Sequence, residues 1–273
     1  MREENISDSE IRIVGSSQKP TQKPFPWGWV VVGVVLVACL AILLWWQYSK
    51  TNAEQESIGV FEQEQPVVQT YPLTEWFASV DSITAVGTVT TDITINDIPL
   101  RVYLPLNSVP HLEVGYGVTK ECQNSILFFQ AADVRADNGK IVGAFVLQGK
   151  PLSWGLSKRG FCAVVDGNVT IGVADNSPLF EKATEEEGDF FRQYPLVDNG
   201  RLVENELKNK SIRRALCEIN AHIVVVETQS VESMHDFSQA LVDLGAQNAI
   251  YLVGSSAMGW AMDIHGNGTK MGL

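Results

Sequence analysis

The chain has 273 residues, 45% of them hydrophobic and 19% charged, with a formal net charge of -12. That content is enough for one well-formed core, and the acidic balance excludes nucleic acid as a partner, because phosphate backbones are held by clustered Lys and Arg. A single phosphate on a small ligand stays open, since one or two local arginines suffice to hold it.

Residues 1–26 are polar and interrupted by proline, and they read as a cytoplasmic tail. Residues 27–46 carry no charge, and Trp27, Trp29, Trp45 and Trp46 mark the two ends of the segment. A run of about 20 apolar residues is what a bilayer requires, so a single-pass transmembrane helix is predicted here. Arg2, Arg12, Lys19 and Lys23 precede this segment, and only Lys50 follows it before Arg101. The excess of basic residues keeps the N-terminus in the cytoplasm and puts the folded domain in the periplasm or outside the cell. A cleaved signal peptide is the competing reading, and the length of the apolar run weighs against it. Residues 47–75, rich in Glu and Gln, read as a linker, and the domain is expected over 76–273.

Within that domain Ile93 and Ile95 alternate with Thr, Asn96 and Asp97 follow, and Ile98, Leu100, Val102 and Leu104 alternate again, which predicts a β-hairpin. Residues 161–165 and 169–173 flank Asp166-Gly167-Asn168 in the same way, and Asn138-Gly139, Gln148-Gly149 and Asn199-Gly200 mark further turns. Residues 126–129 form a candidate buried strand, and the acidic residues between Glu181 and Asp189 read as a solvated loop. Cys39 falls in the apolar segment. Cys122, Cys162 and Cys217 cannot all pair within one chain; Cys162 and Cys217 read as core thiols or one disulfide. Neither the cysteines nor His111, His222, His235 and His265 have a spacing that specifies a metal.

The richest stretch runs from Arg213 to Trp260. Residues 221–226 are a β-branched run expected to form a strand, Ser233 and Asp236 can open a helix, and Met234, Phe237, Leu241 and Leu244 recur at helical spacing. Gly245 follows where a helix favours a left-handed residue, and residues 249–253 read as a second strand. The unit is therefore β-α-β, and ligands of such sheets gather beyond the carboxyl ends of the strands, here at 227–229 and 254–256. The fold class expected is α+β, with mixed β-sheets and this C-terminal β-α-β unit, preceded by one transmembrane helix.

In order, residues 126–129 lead to Gln130-Ala131-Ala132-Asp133, 140–149 fit a glycine-turn hairpin, and Tyr194-Pro195-Leu196-Val197 begins a segment ending at Gly200. Arg213-Arg214-Ala215 then opens a strand, and Leu252-Val253-Gly254-Ser255-Ser256 closes the series. This order resembles the phosphodiester glycosidase family over roughly residues 83–261. The family has Asn-Gly-Gly where this chain has Gln130-Ala131-Ala132, and Asp where it has Val253. The resemblance implies an extracytoplasmic protein acting on or binding a phosphate-linked sugar or surface polysaccharide. The altered motifs leave a catalytically inactive relative, binding a glycan or a protein partner, as the alternative.

Glu227, after a β-branched run, and Asp133, after the altered glycine motif, are the carboxylates placed for acid–base work. Arg213 and Arg214 are expected to meet phosphate or carboxylate, because a guanidinium presents a planar fork of donors. Gln130, Gly254, Ser255 and Ser256 complete the expected ligand-binding set. A serine-hydrolase elbow is excluded: Gly254-Ser255-Ser256-Ala257 is followed by Met258, where that motif requires Gly.

Overall fold

A computed structural model gives the fold and describes Ile42 and residues 72–114, 125–254 and 257–271. The chain divides into units at Met1–Val67 and Val68–Leu273. The tail, nearly all of the predicted membrane segment, most of the linker, Cys39, Cys122, Ser255 and Ser256 lie outside the described residues. No helix among the described residues is long and apolar enough to cross a membrane.

The second unit is built from antiparallel sheets with three short helices among its described residues. A seven-stranded sheet contains β1 (Gly87–Ile95), β2 (Ile98–Leu106), β9 (Pro195–Asp198), β10 (Arg201–Leu202), β11 (Arg214–Ile219), β12 (His222–Thr228) and β13 (Ala246–Leu252). Its order is β1-β2-β12-β11-β13-β9-β10. A five-stranded sheet contains β4 (Ala144–Leu147), β5 (Lys150–Trp154), β6 (Gly160–Val165), β7 (Asn168–Val173) and β8 (Asp189–Gln193). A three-stranded sheet joins β3 (Leu127–Phe129), β14 (Gly259–Met262) and β15 (Gly268–Met271).

Alternation along the strands decides which face each residue serves. Leu100, Val102 and Leu104 of β2 bury against α1 (Thr74–Val80) and α3 (Met234–Leu244), together with Phe77, Phe237 and Leu241. Tyr103, Val225, Ile250 and Leu252 face the other way, into a second core shared with Phe145, Cys162 and Phe191 of the five-stranded sheet. The far face of that sheet is covered by α2 (Leu179–Glu185), through Ala183. Cys162 and Cys217 are buried free thiols.

Helix α3 follows the sequence closely. Ser233 accepts a hydrogen bond from Asp236 N, and Gly245 ends the helix at φ 102. Both β12 and β13 run antiparallel to β11, which lies between them, so they are parallel to each other and the α3 crossover spans one intervening strand. The two-residue hairpin turns carry positive φ at both central residues, as at Asn96 (φ 50) and Asp97 (φ 63).

Three readings change. Ala221 is not in a strand: with Asn220 it forms the β11–β12 turn, at φ 63. The first half of the acidic stretch expected to be a solvated loop lies in the helix α2, and its last member, Asp189, is buried, accepting from Gln148 N and Leu112 N at 2.8 Å each. Leu73 and the first residues of α1, assigned to the linker, belong to the folded unit; Leu73 packs in the main core.

Candidate functional site

The antiparallel arrangement brings the carboxyl ends of β12 and β13 to the same edge as the first residue of β11. Arg214 there lies opposite Glu227 on one side and Leu252 on the other, and Glu227 is in turn opposite Arg101 of β2, which is opposite Asp92 of β1. Cross-strand partners share a face, so Asp92, Arg101, Glu227 and Arg214 form a row of alternating charge across four strands. The row runs from water into the interior. Side-chain exposure is 62% at Asp92 and 41% at Arg101, then 12% at Glu227 and 1% at Arg214.

At the inner end Arg214 Nε donates to Glu227 Oε2 at 2.7 Å, and Nη2 donates to the same oxygen. Nη1 donates to the Val253 carbonyl at 3.0 Å, and the guanidinium lies 4.4 Å from the centre of the Phe129 ring. Phe129 also meets Tyr103 edge-on, with ring centres 5.5 Å apart. The Tyr103 hydroxyl stands 3.5 Å from Glu227 Oε1, long for an O–H···O bond. Burial, with the Glu227 charge second, pushes the Tyr103 phenol up to about 12. At the outer end Arg101 holds Asp92 through Nε at 2.7 Å and Nη2 at 2.8 Å. That hydrogen bond lowers the Asp92 carboxyl and raises the Arg101 guanidinium.

The two arginines expected to act as a pair do not converge. Adjacent residues of an extended segment point to opposite faces. Arg213 is buried, donates from Nε to the Glu232 carbonyl at 3.0 Å and from Nη2 to the Asn209 carbonyl, and thereby fastens the segment before β11. Gln130 folds back on its own loop, with Nε2 on the Ala132 carbonyl at 2.9 Å and its carbonyl accepting from Val253 N at 3.1 Å. Gly254 donates its N–H to the Tyr251 hydroxyl at 3.2 Å, and a Cβ there would stand 2.4 Å from the Ile212 carbonyl oxygen. Its lack of a side chain is therefore a packing requirement. Asp133 is half-exposed and bound to buried Lys158. Among the described residues no group of three or more His, Cys, Asp or Glu is placed to hold a metal ion.

Sequence reading missed Arg101 and Tyr103 as neighbours of Glu227 and Phe129 as a neighbour of Arg214. The alternation of the first hairpin already put Arg101 and Tyr103 on one face, but which strand lies beside β2 is a long-range fact.

No family model and no curated protein matches this chain. Among solved structures it resembles the catalytic domain of zebrafish N-acetylglucosamine-1-phosphodiester alpha-N-acetylglucosaminidase, auto-inhibited by its pro-peptide, with a TM-score of 0.53 and 13% identity. The likeness covers 69% of this chain and 76% of that one. This chain distantly shares the fold of a phosphodiester glycosidase. A hypothetical protein from Synechocystis is similar at a TM-score of 0.50 and 13% identity, over 69% of this chain and 61% of that one.

Proposed function

We propose that this protein is a membrane-anchored, extracytoplasmic domain on a phosphodiester-glycosidase-like scaffold that binds a phosphate-linked sugar or surface polysaccharide without turning it over. Residues 27–46 support the anchor and the charge bias before them supports the orientation. The observation that carries the non-catalytic reading is the ion pair itself. Arg214 directs Nε and Nη2 to Glu227 and Nη1 to a backbone carbonyl, and the neighbouring strand end offers Val253 in place of a carboxylate. The inner end of the row is thus occupied by the protein's own groups. Arg101, at the outer end, is the guanidinium of the row with room for a phosphate oxygen.

A second reading, an active phosphodiester glycosidase, is favoured by two carboxylates near one loop. Glu227 keeps 12% of its side chain exposed and Asp133 keeps 40%. A phosphate leaving group needs little protonation, which relaxes the demand for a general acid.

The test uses the full chain in detergent micelles with methyl phosphodiesters of glucose, mannose, galactose and N-acetylglucosamine 1-phosphates, with and without divalent cations. Saturable binding with no sugar released supports the binding reading. Turnover that disappears in Glu227→Gln establishes the enzyme instead.

A further inference from the structure

Lys158, in the connection between β5 and β6, has a side chain only 3% exposed. Its ammonium donates to Asp133 Oδ2 at 2.5 Å and to Gln193 Oε1 at 2.8 Å, and lies 4.7 Å from the centre of the Tyr194 ring. Gln193, fully buried, sends Nε2 to the same Asp133 oxygen at 3.3 Å and to the Ala131 carbonyl at 3.2 Å, and its Oε1 also accepts from Tyr194 N at 3.1 Å. The main chain is tied as well: Val142 N donates to the Asp133 carbonyl at 2.9 Å. Both side-chain donors to the Asp133 carboxylate thus converge on Oδ2. Oδ1 takes no hydrogen bond from the described residues, and the Asp133 side chain is 40% exposed.

Stability does not account for this arrangement. Burying an ammonium is strongly unfavourable, and a partner that remains half in water returns little of that loss. What the arrangement yields is a half-exposed carboxylate held in a fixed orientation by buried support, which is how binding groups are preorganised. The charge pattern selects the ligand. Lys158 cancels the charge of Asp133, so a metal ion or ammonium gains little there, whereas a neutral hydroxyl gains a charge-assisted hydrogen bond. Location agrees with this chemistry. Asp133 ends the loop that starts at Gln130, whose carbonyl is bonded to Val253 N at 3.1 Å, at the same strand end as Arg214.

We propose that Asp133 Oδ1 accepts a hydrogen bond from a hydroxyl group of the bound sugar, and that Lys158 and Gln193 are positioning residues that hold it. The proposal rests on the glycan-binding reading above and assigns to Asp133 a recognition role in place of acid–base work.

The experiment measures binding of the four methyl phosphodiesters to the full chain in micelles, then repeats it with the monodeoxy analogues of whichever sugar binds. In the unaltered protein, removing one particular hydroxyl weakens binding about ten- to a hundredfold. Lys158→Met combined with Asp133→Asn removes the pair without stranding a buried ammonium; it keeps the melting temperature within a few degrees and loses the same ten- to a hundredfold. In that variant the deoxy analogue binds no worse than its parent, because the hydroxyl and the carboxylate are one interaction. Lys158→Met alone, leaving Asp133 in place, loses affinity while its melting temperature holds, a combination that a merely structural lysine does not produce. Equal affinity of the double variant and the unaltered protein overturns the proposal while leaving glycan binding intact. Failure of the unaltered protein to bind any of the four removes the glycan reading, and the proposal with it.

Discussion

Arg214 and Glu227 face each other directly across β11 and β12, and the arginine aims Nε and Nη2 at a single carboxylate oxygen, Oε2. A buried pair of this kind contributes little net stability when intact but costs a great deal when halved, because the remaining charge stays desolvated. Arg214→Ala is expected to lower the unfolding free energy by about 3–5 kcal/mol. The double change Arg214→Leu with Glu227→Leu should recover most of that loss. Urea denaturation of the three proteins gives the comparison; a double variant no more stable than Arg214→Ala would show that the loss does not come from a stranded Glu227 charge.

The open end of the row makes a different prediction. Arg101 is divided between Asp92 and any arriving anion. Asp92→Asn therefore tightens binding of a sugar 1-phosphodiester several-fold, and Arg101→Gln weakens it, while the corresponding neutral methyl glycoside is unaffected by either. Titration calorimetry at two salt concentrations checks this, since the phosphate term weakens as salt rises. Equal effects on the charged and neutral probes would remove Arg101 from phosphate recognition.

Alkaline stability follows from Tyr103. Its phenol is pushed up to about 12 in the folded protein, against about 10 in an unfolded chain. Between those values the unfolded chain has released a proton that the folded one keeps, so the contribution is fully present below about pH 10 and is lost as pH rises toward the folded value. Tyr103→Phe should flatten the decline in melting temperature across that window, followed by circular dichroism.

The thiols give a simple accessibility test. Burial pushes Cys162 up to about 12 and raises Cys217 as well, so neither is an available nucleophile near neutrality. With Cys39 and Cys122 changed to Ser, a chromogenic disulfide reagent at pH 8 should find no reactive thiol in the folded protein and two after denaturation. Rapid reaction of either one in the folded state would contradict their burial.

The turn between β11 and β12 carries strain that a single substitution should relieve. Ala221 sits at φ 63, in the left-handed region that costs a residue with a Cβ about 1–2 kcal/mol. Ala221→Gly is expected to stabilise by about 1 kcal/mol, seen as a higher urea midpoint at unchanged slope. A lower midpoint would mean that the Ala221 side chain makes contacts worth more than the strain.

The same turn shows where sequence reading succeeds and fails. Asn96-Asp97 and Gln148-Gly149 were legible because the residues that favour positive φ stood between alternating runs. Asn220-Ala221 was not, because alanine gives no such signal and the β-branched run beside it extended the apparent strand. Helix α3 was legible down to its caps, since Ser233, its apolar spacing and Gly245 are all local. The site was legible only in part. Glu227 and Arg214 could be named singly, but their pairing depends on β11 lying between two strands that are parallel to each other, and nothing near Lys158 in sequence announces that it is buried beneath Asp133.

The roof of the inner ion pair belongs to a different sheet from the pair it covers. Phe129 ends β3, whose strand partner among the described residues is β14, and β14 is in turn flanked by β15. Residues 268–271, far along the chain from any charged member of the row, thus act as the outer fastening of a lid: a change that loosens them would admit water to the Arg214 guanidinium without touching a single residue that binds it.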